Sequence, residues 1–233
     1  MILYSEDKEQ SIDFDIDQKY KKIMLRASGG ADSSILLYMI IDFLIKNKRE
    51  DTKVYTITVI DPRNARGPSQ SVQKIVNWIL NKTKFKNFEM TYFNYDFNWD
   101  GKYQLDIQND LITKHNIDLM FSGNSANPLI DVKDLLLDAM PERNKDAPRW
   151  KAPTLDTTNN ECKCDYYQPF HRVDKRFMLS MFKYYDVMEL FNITRSCSKY
   201  YSYDSKDLEN KETCGECWHC RERKWASLWL NGK

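Results

Sequence analysis

What most restricts the fold of this chain is an alternation. Between residues 21 and 123, short apolar runs trade places with segments whose apolar residues recur at helical spacing. The first run, 21–26, reads as a short strand. Residues 32–47 follow as a helix, with Ile35, Leu36, Met39, Ile40, Phe43 and Leu44 on one face. The β-branched run 54–60 is a second strand, ended by Asp61-Pro62. A helix over 69–80 turns Val72, Ile75, Val76 and Ile79 inward. Residues 88–95 alternate as a third strand, 103–114 form a third helix, and 117–121 are a fourth strand running into Ser122-Gly123. Strands joined by helices need crossover connections, which give a parallel sheet covered on both faces. The predicted class is therefore α/β, a parallel sheet with helices on both faces. Ligands of such sheets bind beyond the carboxyl ends of the strands, where strand order reverses. Gly29-Gly30 and Gly123 both fall at that edge.

The flanks are less regular. The segment up to about Tyr20 is polar and acidic and reads as an arm or an edge element. Over 127–168 the periodicity fades among prolines and polar residues. This predicts a long loop with one helix over 130–139, of the kind that serves as a lid. Residues 173–185 are helical again. The chain thus divides into an α/β domain over 1–185, lid included, and a C-terminal lobe over 186–233.

Composition narrows the function classes. A length of 233 residues suits one domain with a small appendage, and 42% hydrophobic with 13% aromatic residues supply a core. Lys+Arg 35 nearly cancels Asp+Glu 34, so the chain as a whole does not attract polyanions, and tight nonspecific nucleic-acid binding is not indicated. No apolar run reaches the length of a membrane span, and Met1 to Asp7 lacks the basic start and apolar core of a secretory signal. The expected compartment is the cytoplasm, where cysteines stay reduced and clusters of them are read as metal ligands or catalytic groups.

Ser28-Gly29-Gly30-Ala31-Asp32-Ser33 lies between the first strand and the first helix. Two glycines allow a tight turn and bring amide N–H groups close to an anion. The helix start adds unpaired donors and partial positive charge. Ser28 and Ser33 can donate hydroxyl bonds to the same phosphate oxygens. Asp32, an anion beside an anion site, makes sense either as a magnesium ligand or as the helix cap. No Gly-Lys-Ser/Thr follows, so this is not a Walker loop; an ordinary capped turn is the plain alternative.

Cys214, Cys217 and Cys220 form Cys-x-x-Cys-x-x-Cys, and Cys197 lies upstream. Four thiolates can hold one ion tetrahedrally, and x-x spacing lets backbone N–H groups point at sulfur, so a structural zinc site is predicted. Four cysteines fit an iron–sulfur cluster equally well by count. His219, between two ligands, reads as a bystander. Cys162 and Cys164, one residue apart in a polar stretch, read as reduced thiols without a role. Trp78, Trp99, Trp150, Trp218, Trp225 and Trp229 are core or staple residues by default, Trp99 and Trp150 being the better stacking candidates. Arg63-Asn64-Ala65-Arg66 stands where it can meet a phosphate or carboxylate.

The Ser-Gly-Gly-x-Asp-Ser string resembles the signature of the PP-loop (N-type) ATP pyrophosphatases. The tail carries Pro169-Phe170-His171-Arg172-Val173-Asp174-Lys175, then Ser196-Cys197, then Cys214-Gly215-Glu216-Cys217-Trp218-His219-Cys220-Arg221-Glu222-Arg223. With Gly123-Asn124 between them, these stand in the order found in 7-cyano-7-deazaguanine synthases. The resemblance implies an adenine-nucleotide α-hydrolase-like fold with a small zinc lobe, and a ligase that uses ATP, magnesium and ammonia on a deazapurine carboxylate. It also implies a homodimer. Residues 28–33 and Gly123 would bind the nucleotide, Asp32 would help hold magnesium, and Lys175 would meet the phosphates unless it is a solvated first-turn residue. Arg223 takes the family arginine's position or is a surface charge. Departures lie at 95–100 and 127–131, which shape the acceptor pocket, and suit a divergent member of bacterial or phage origin. Two other readings stand beside this one: a PP-loop sulfur transferase with an iron–sulfur cluster, and a noncatalytic nucleotide-binding partner protein.

Overall fold

The computed structural model describes residues 1–60, 71–94, 101–126, 162–197 and 213–232, with the backbone alone at 60, 94 and 101–104. A hairpin comes first, β1 (Ile2–Tyr4) antiparallel to β2 (Ser11–Asp13). The main sheet takes β3 (Lys22–Arg26), β4 (Lys53–Ile60), β5 (Phe88–Asn94), β6 (Leu119–Phe121) and β7 (Asp165–Tyr167). Its connections carry α1 (Ala31–Lys46), α2 (Val72–Thr83) and α3 (Gly101–His115); α4 (Lys175–Tyr184), α5 (Met188–Ile193) and α6 (Trp218–Leu230) follow.

The strands lie in the order β5-β4-β3-β6-β7, every neighbouring pair parallel. The chain builds outward from β3 through β4 and β5, then returns to the other side of β3 for β6 and β7. Strand order therefore reverses between β3 and β6, the place where an open α/β sheet leaves a crevice. Ile23 stands opposite Leu119 and Leu25 opposite Phe121. The turns after these two strands consequently emerge side by side.

Burial explains the layers. Ile23, Met24 and Leu25 are all buried, a continuous run rather than an alternation because both faces of β3 are covered. The larger core joins α1, α2, α4 and α5 to one face through residues such as Ile35, Val76, Phe177 and Leu190. The smaller core, Met24, Tyr55, Ile57, Ile112, Ile117, Met120 and Tyr166, lies under α3 on the other. Helix α1 is buried almost all round, since the sheet flanks it on one side and α4 and α5 on the other. Val187, Leu190, Phe191 and Ala226 share the larger core.

Three expectations need correction. The N-terminal segment is neither an arm nor an edge of the main sheet. Its acidic residues conceal an alternation of Leu3, Ile12, Phe14 and Ile16, all buried. Phe14 meets Phe43, Phe121 and Tyr167, and burial of one such ring contributes about 1.5–3 kcal/mol. Polar ties reinforce the seat: Gln10 Oε1 accepts from Asp174 N at 2.8 Å, and Ser180 Oγ accepts from Glu6 N at 3.0 Å. The second correction concerns the loop predicted over 127–168. It gives way to a strand at its end, because Met120 and Phe121 find partners in Tyr166 and Tyr167; three residues are too few for a period to show. Finally, α4 starts at Lys175 rather than at 173, since Asp174 caps it by accepting from Arg176 N. The helix predicted over 130–139, Arg63 to Arg66, the 95–100 and 127–131 departures, Trp99 and Trp150 lie outside the described residues. Among the described residues no helix is long and apolar enough to cross a membrane.

Candidate nucleotide site and four-cysteine cluster

The first crossover builds the site. Ala27 N still bonds Ile57 O at 3.0 Å, after which the chain leaves the sheet and reverses at Gly29, whose φ of 84° only glycine adopts freely. Gly30 is the N-cap of α1, with extended backbone and no side-chain cap bond. Asp32 is therefore not the cap; it sits inside the first turn, with its side chain free for other work. The two serines brace the turn: Ser28 Oγ and Ser33 Oγ lie 3.0 Å apart, and Ser28 N donates to Ser33 Oγ at 3.2 Å. A glycine turn at a helix start is a place where backbone N–H groups can receive an anion; here Gly30 N bonds Ser28 Oγ at 3.3 Å and Ala31 N bonds Ser196 Oγ at 3.4 Å.

Asp32 is where three elements meet. Lys175, the first residue of α4, donates from Nζ to Asp32 Oδ2. Ser125, in the turn after β6, donates to the same oxygen at 3.1 Å. That turn is itself tied to the entry of α4, Ala126 N bonding Val173 O at 2.9 Å. Lys175 is 8% exposed, which excludes the solvated first-turn alternative. Asp32 Oδ1 is buried and has no hydrogen-bond partner among the described residues. An orphaned carboxylate oxygen calls for an explanation, and at the mouth of this crevice it fits a hard cation such as magnesium.

Gly123 acts by having no side chain. A Cβ there would lie 2.9 Å from Ser33 N and 3.0 Å from the Asp32 carbonyl carbon. Only glycine lets the β6 turn press onto the first turn of α1 and deliver Ser125. The sequence reading missed Ser125, since one serine in a polar turn carries no spacing signal.

The tail closes over the loop. Arg195 N donates to Gly29 O at 2.8 Å, and Ser196 Oγ accepts from Ala31 N at 3.4 Å. Arg223 of α6 braces this segment from behind. Its Nη1 donates to Thr194 O at 3.1 Å and Thr194 Oγ1 at 2.7 Å, and its Nη2 to Phe191 O at 2.7 Å. The guanidinium lies 3.8 Å above the Phe191 ring. Burial lowers its pKa to about 10, so it stays charged at neutral pH. Arg223 is thus no surface charge; it positions the strip of chain that covers the turn.

Cys197 follows Ser196 directly. The Sγ atoms of Cys197, Cys214, Cys217 and Cys220 lie within 4.8 Å of one another and can hold a metal ion. Cys217 N and Glu216 N point at Cys214 Sγ at 3.3 and 3.5 Å, and Cys214 N at Cys197 Sγ at 3.4 Å. These donors favour thiolates. Against them, burial pushes the Cys214 thiol up, and the neighbouring Cys197 sulfur pushes Cys220 up. Four sulfurs this close ionise together only around a cation. His219 is not in the ligand group. Among the described residues the tryptophans serve as packing and staples: Trp218 is buried, Trp78 packs on Tyr38, and Trp225 and Trp229 flank Arg176.

The chain matches no protein-family model and no curated protein. Similar solved structures include the U34-tRNA thiolase NcsA from Methanococcus maripaludis with its 4Fe-4S cluster, at 13% identity and TM-score 0.47, covering 92% of this chain and 74% of that one. NMN synthetase from Francisella tularensis is similar at 10% identity and TM-score 0.47, covering 92% and 78%. A universal stress protein in complex with cAMP is similar at 14% identity and TM-score 0.39, covering 65% and 98%. The α/β class itself follows from the strand order and connections, a parallel five-stranded sheet with helices on both faces.

Proposed function

We propose that the chain is an ATP-using ligase that splits ATP into AMP and pyrophosphate to activate a carboxylate. The observation that carries the reading is Asp32: a half-buried carboxylate with one buried, unsatisfied oxygen, paired to Lys175, at the start of a helix capped only by Gly30, where strand order reverses. Bound there through Asp32, magnesium would act as a Lewis acid on the phosphate oxygens. The chain's own residues do the rest. Amide groups of residues 29–33 receive the diphosphate as it leaves, Gly30 N and Ala31 N exchanging their serine hydroxyl partners for it. Lys175 adds a positive charge held at 10% side-chain exposure, where solvent screens it little. The strip 194–196, braced by Arg223, keeps the turn in shape.

In bond terms, an acceptor carboxylate oxygen attacks the α-phosphorus, the bond to the bridging oxygen breaks, and pyrophosphate departs. Ammonia then attacks the acyl carbon of the mixed anhydride and AMP leaves, giving an amide. By resemblance of the tail motifs, the acceptor is 7-carboxy-7-deazaguanine, and a second ATP dehydrates the amide to the nitrile.

The cysteine group holds zinc in this reading. Four Zn–S bonds of about 2.3 Å set the tetrahedral edge at about 3.8 Å, and Cys214 Sγ lies 3.8 Å from Cys220 Sγ. A four-iron cluster carries each thiolate on a different iron, directed outward, and spreads the sulfurs farther apart. Four thiolates leave no open position, so the zinc pins the tail and takes no part in catalysis.

The test is mass spectrometry of products after incubation with ATP, magnesium, ammonium and 7-carboxy-7-deazaguanine. AMP together with the amide or nitrile is the expected result. Unchanged carboxylate, or a brown protein containing iron, turns the reading toward sulfur transfer; ATP bound without any pyrophosphate release turns it toward a noncatalytic nucleotide-binding protein.

A further inference from the structure

Cys162 and Cys164 belong to neither site. They stand just ahead of β7, half-buried against the smaller core, with Sγ atoms 3.7 Å apart. Gln108 of α3 places Nε2 3.7 Å from Cys162 Sγ. The orientation of that amide is settled by Arg26, which donates to Gln108 Oε1 through Nε at 2.6 Å and through Nη2. With its oxygen engaged by two donors, Gln108 can turn only N–H toward the sulfur. Lys163 N bonds Asn109 Oδ1 at 3.2 Å, which fastens the residue between the two cysteines to the same helix. The two thiols are consequently unequal. The S–H of Cys164, with help from Arg26 and Gln108, brings Cys162 down to about 6, while the Cys162 sulfur pushes Cys164 up. A thiolate with a protonated thiol in contact is the arrangement thiol–disulfide exchange uses.

We propose that Cys162 and Cys164 form a redox-active dithiol, with Cys162 the attacking sulfur, Cys164 the resolving one, and small-molecule disulfides as its oxidants. The Cys162 thiolate attacks one sulfur of the disulfide; a Cys162–S bond forms, the S–S bond of the small molecule breaks, and its second half leaves as a thiolate. Cys164 gives its proton to that thiolate and attacks Cys162 Sγ. The Cys162–Cys164 bond forms, and the other half departs as a thiolate and takes a proton from solvent. Two protein sulfurs are oxidised and one disulfide is reduced to two thiols. The closure brings the sulfurs from 3.7 Å to about 2.05 Å. The inference does not rest on the ATP reading and survives its failure.

The experiment uses the full chain loaded with zinc, desalted, exposed to oxidised glutathione at pH 7 and then alkylated. Mass spectrometry reads the chymotryptic peptide carrying both cysteines. The expected product is that peptide lighter by two hydrogens, unalkylated, and restored by dithiothreitol. In Cys164→Ser a glutathione adduct accumulates on Cys162; in Cys162→Ser the adduct on Cys164 forms about fivefold more slowly, since burial still raises that thiol and the help of Arg26 and Gln108 goes to position 162. Alkylation of Cys162 in the unmutated protein should fade as pH falls through about 6. Both thiols remaining fully alkylatable after oxidised glutathione overturns the proposal without any variant, and so do equal adduct rates in the two variants.

Discussion

The turn at Gly29-Gly30 and the four-cysteine cluster are the two candidate sites of the molecule, yet they are held together in opposite ways. The turn is shaped by bonds the chain makes to itself: Ser28 to Ser33, Arg195 to Gly29, Ser196 to Ala31. Its donors are backbone amides, which do not repel one another and keep their arrangement with no ligand present. The cluster gathers four sulfurs that repel as soon as they ionise, so its geometry would be completed by a bound cation. A site of neutral donors is preformed, whereas a site of like-charged ligands is conditional. The two are joined by a single peptide bond, since Ser196 touches the turn and Cys197 belongs to the cluster. Whatever orders the cluster therefore steadies the cover of the turn.

Four measurements press on that contrast. The largest effect is expected from Asp32→Asn, which keeps shape and removes charge. Pyrophosphate release should fall by about 10²–10³-fold with zinc content unchanged, while the melting temperature drops because buried Lys175 loses its carboxylate partner, so the assay is run well below it. A variant that keeps full activity would detach Asp32 from the chemistry. Next, removing the metal, by chelation or by Cys217→Ser, should loosen the 194–196 cover and weaken ATP binding by about tenfold, roughly 1.4 kcal/mol. Calorimetric titration with and without zinc reads this directly, and equal affinities would show the two regions to be independent. Arg223→Met strips donors from the carbonyls of Thr194 and Phe191 and should cost about 1–3 kcal/mol of stability. It should raise KM for ATP more than it lowers kcat, because Arg223 acts on the cover rather than on the phosphates; a pure kcat effect would argue otherwise.

The smallest effect concerns pH. His171 is buried, and burial lowers its pKa below the ordinary histidine value of 6.5. The unfolded chain then binds a proton that the folded chain resists. Stability is accordingly full above pH 6.5 and lost as pH falls through the lower folded value. Urea midpoints at pH 7.5 and 5.5 should differ more for the unmutated chain than for His171→Gln. Equal differences in the two proteins would remove His171 from the account.

How far the chain could be read in advance depended on the range of each interaction. Helix α1 and strands β3, β4 and β5 announced themselves because their periods are local. β7 did not, for Tyr166 and Tyr167 become a strand only through Met120 and Phe121. The hairpin was hidden by charge: Glu6, Asp7, Glu9, Asp13 and Asp15 surround the apolar residues that seat it. At the site, the string over 28–33 and the cysteine spacing were visible as motifs. Ser125 was not, since it sits in no pattern that distinguishes it from ordinary polar surface; Arg223 closes the tail motif, but its bracing role rests on the carbonyls of Thr194 and Phe191, contacts that no spacing encodes.

The sequence by itself determined what short-range forces decide: a parallel α/β sheet from alternating periods, a glycine turn at its first crossover, and four thiols at ligand spacing. Only the tertiary structure decided which groups face that turn. Ser125 and Lys175 lie 93 and 143 residues from Asp32, and they reach it because α4 packs against α1 and because Gly123 lets the β6 turn come close. Contacts of that kind are set by how buried surfaces fit together, and no local period encodes them.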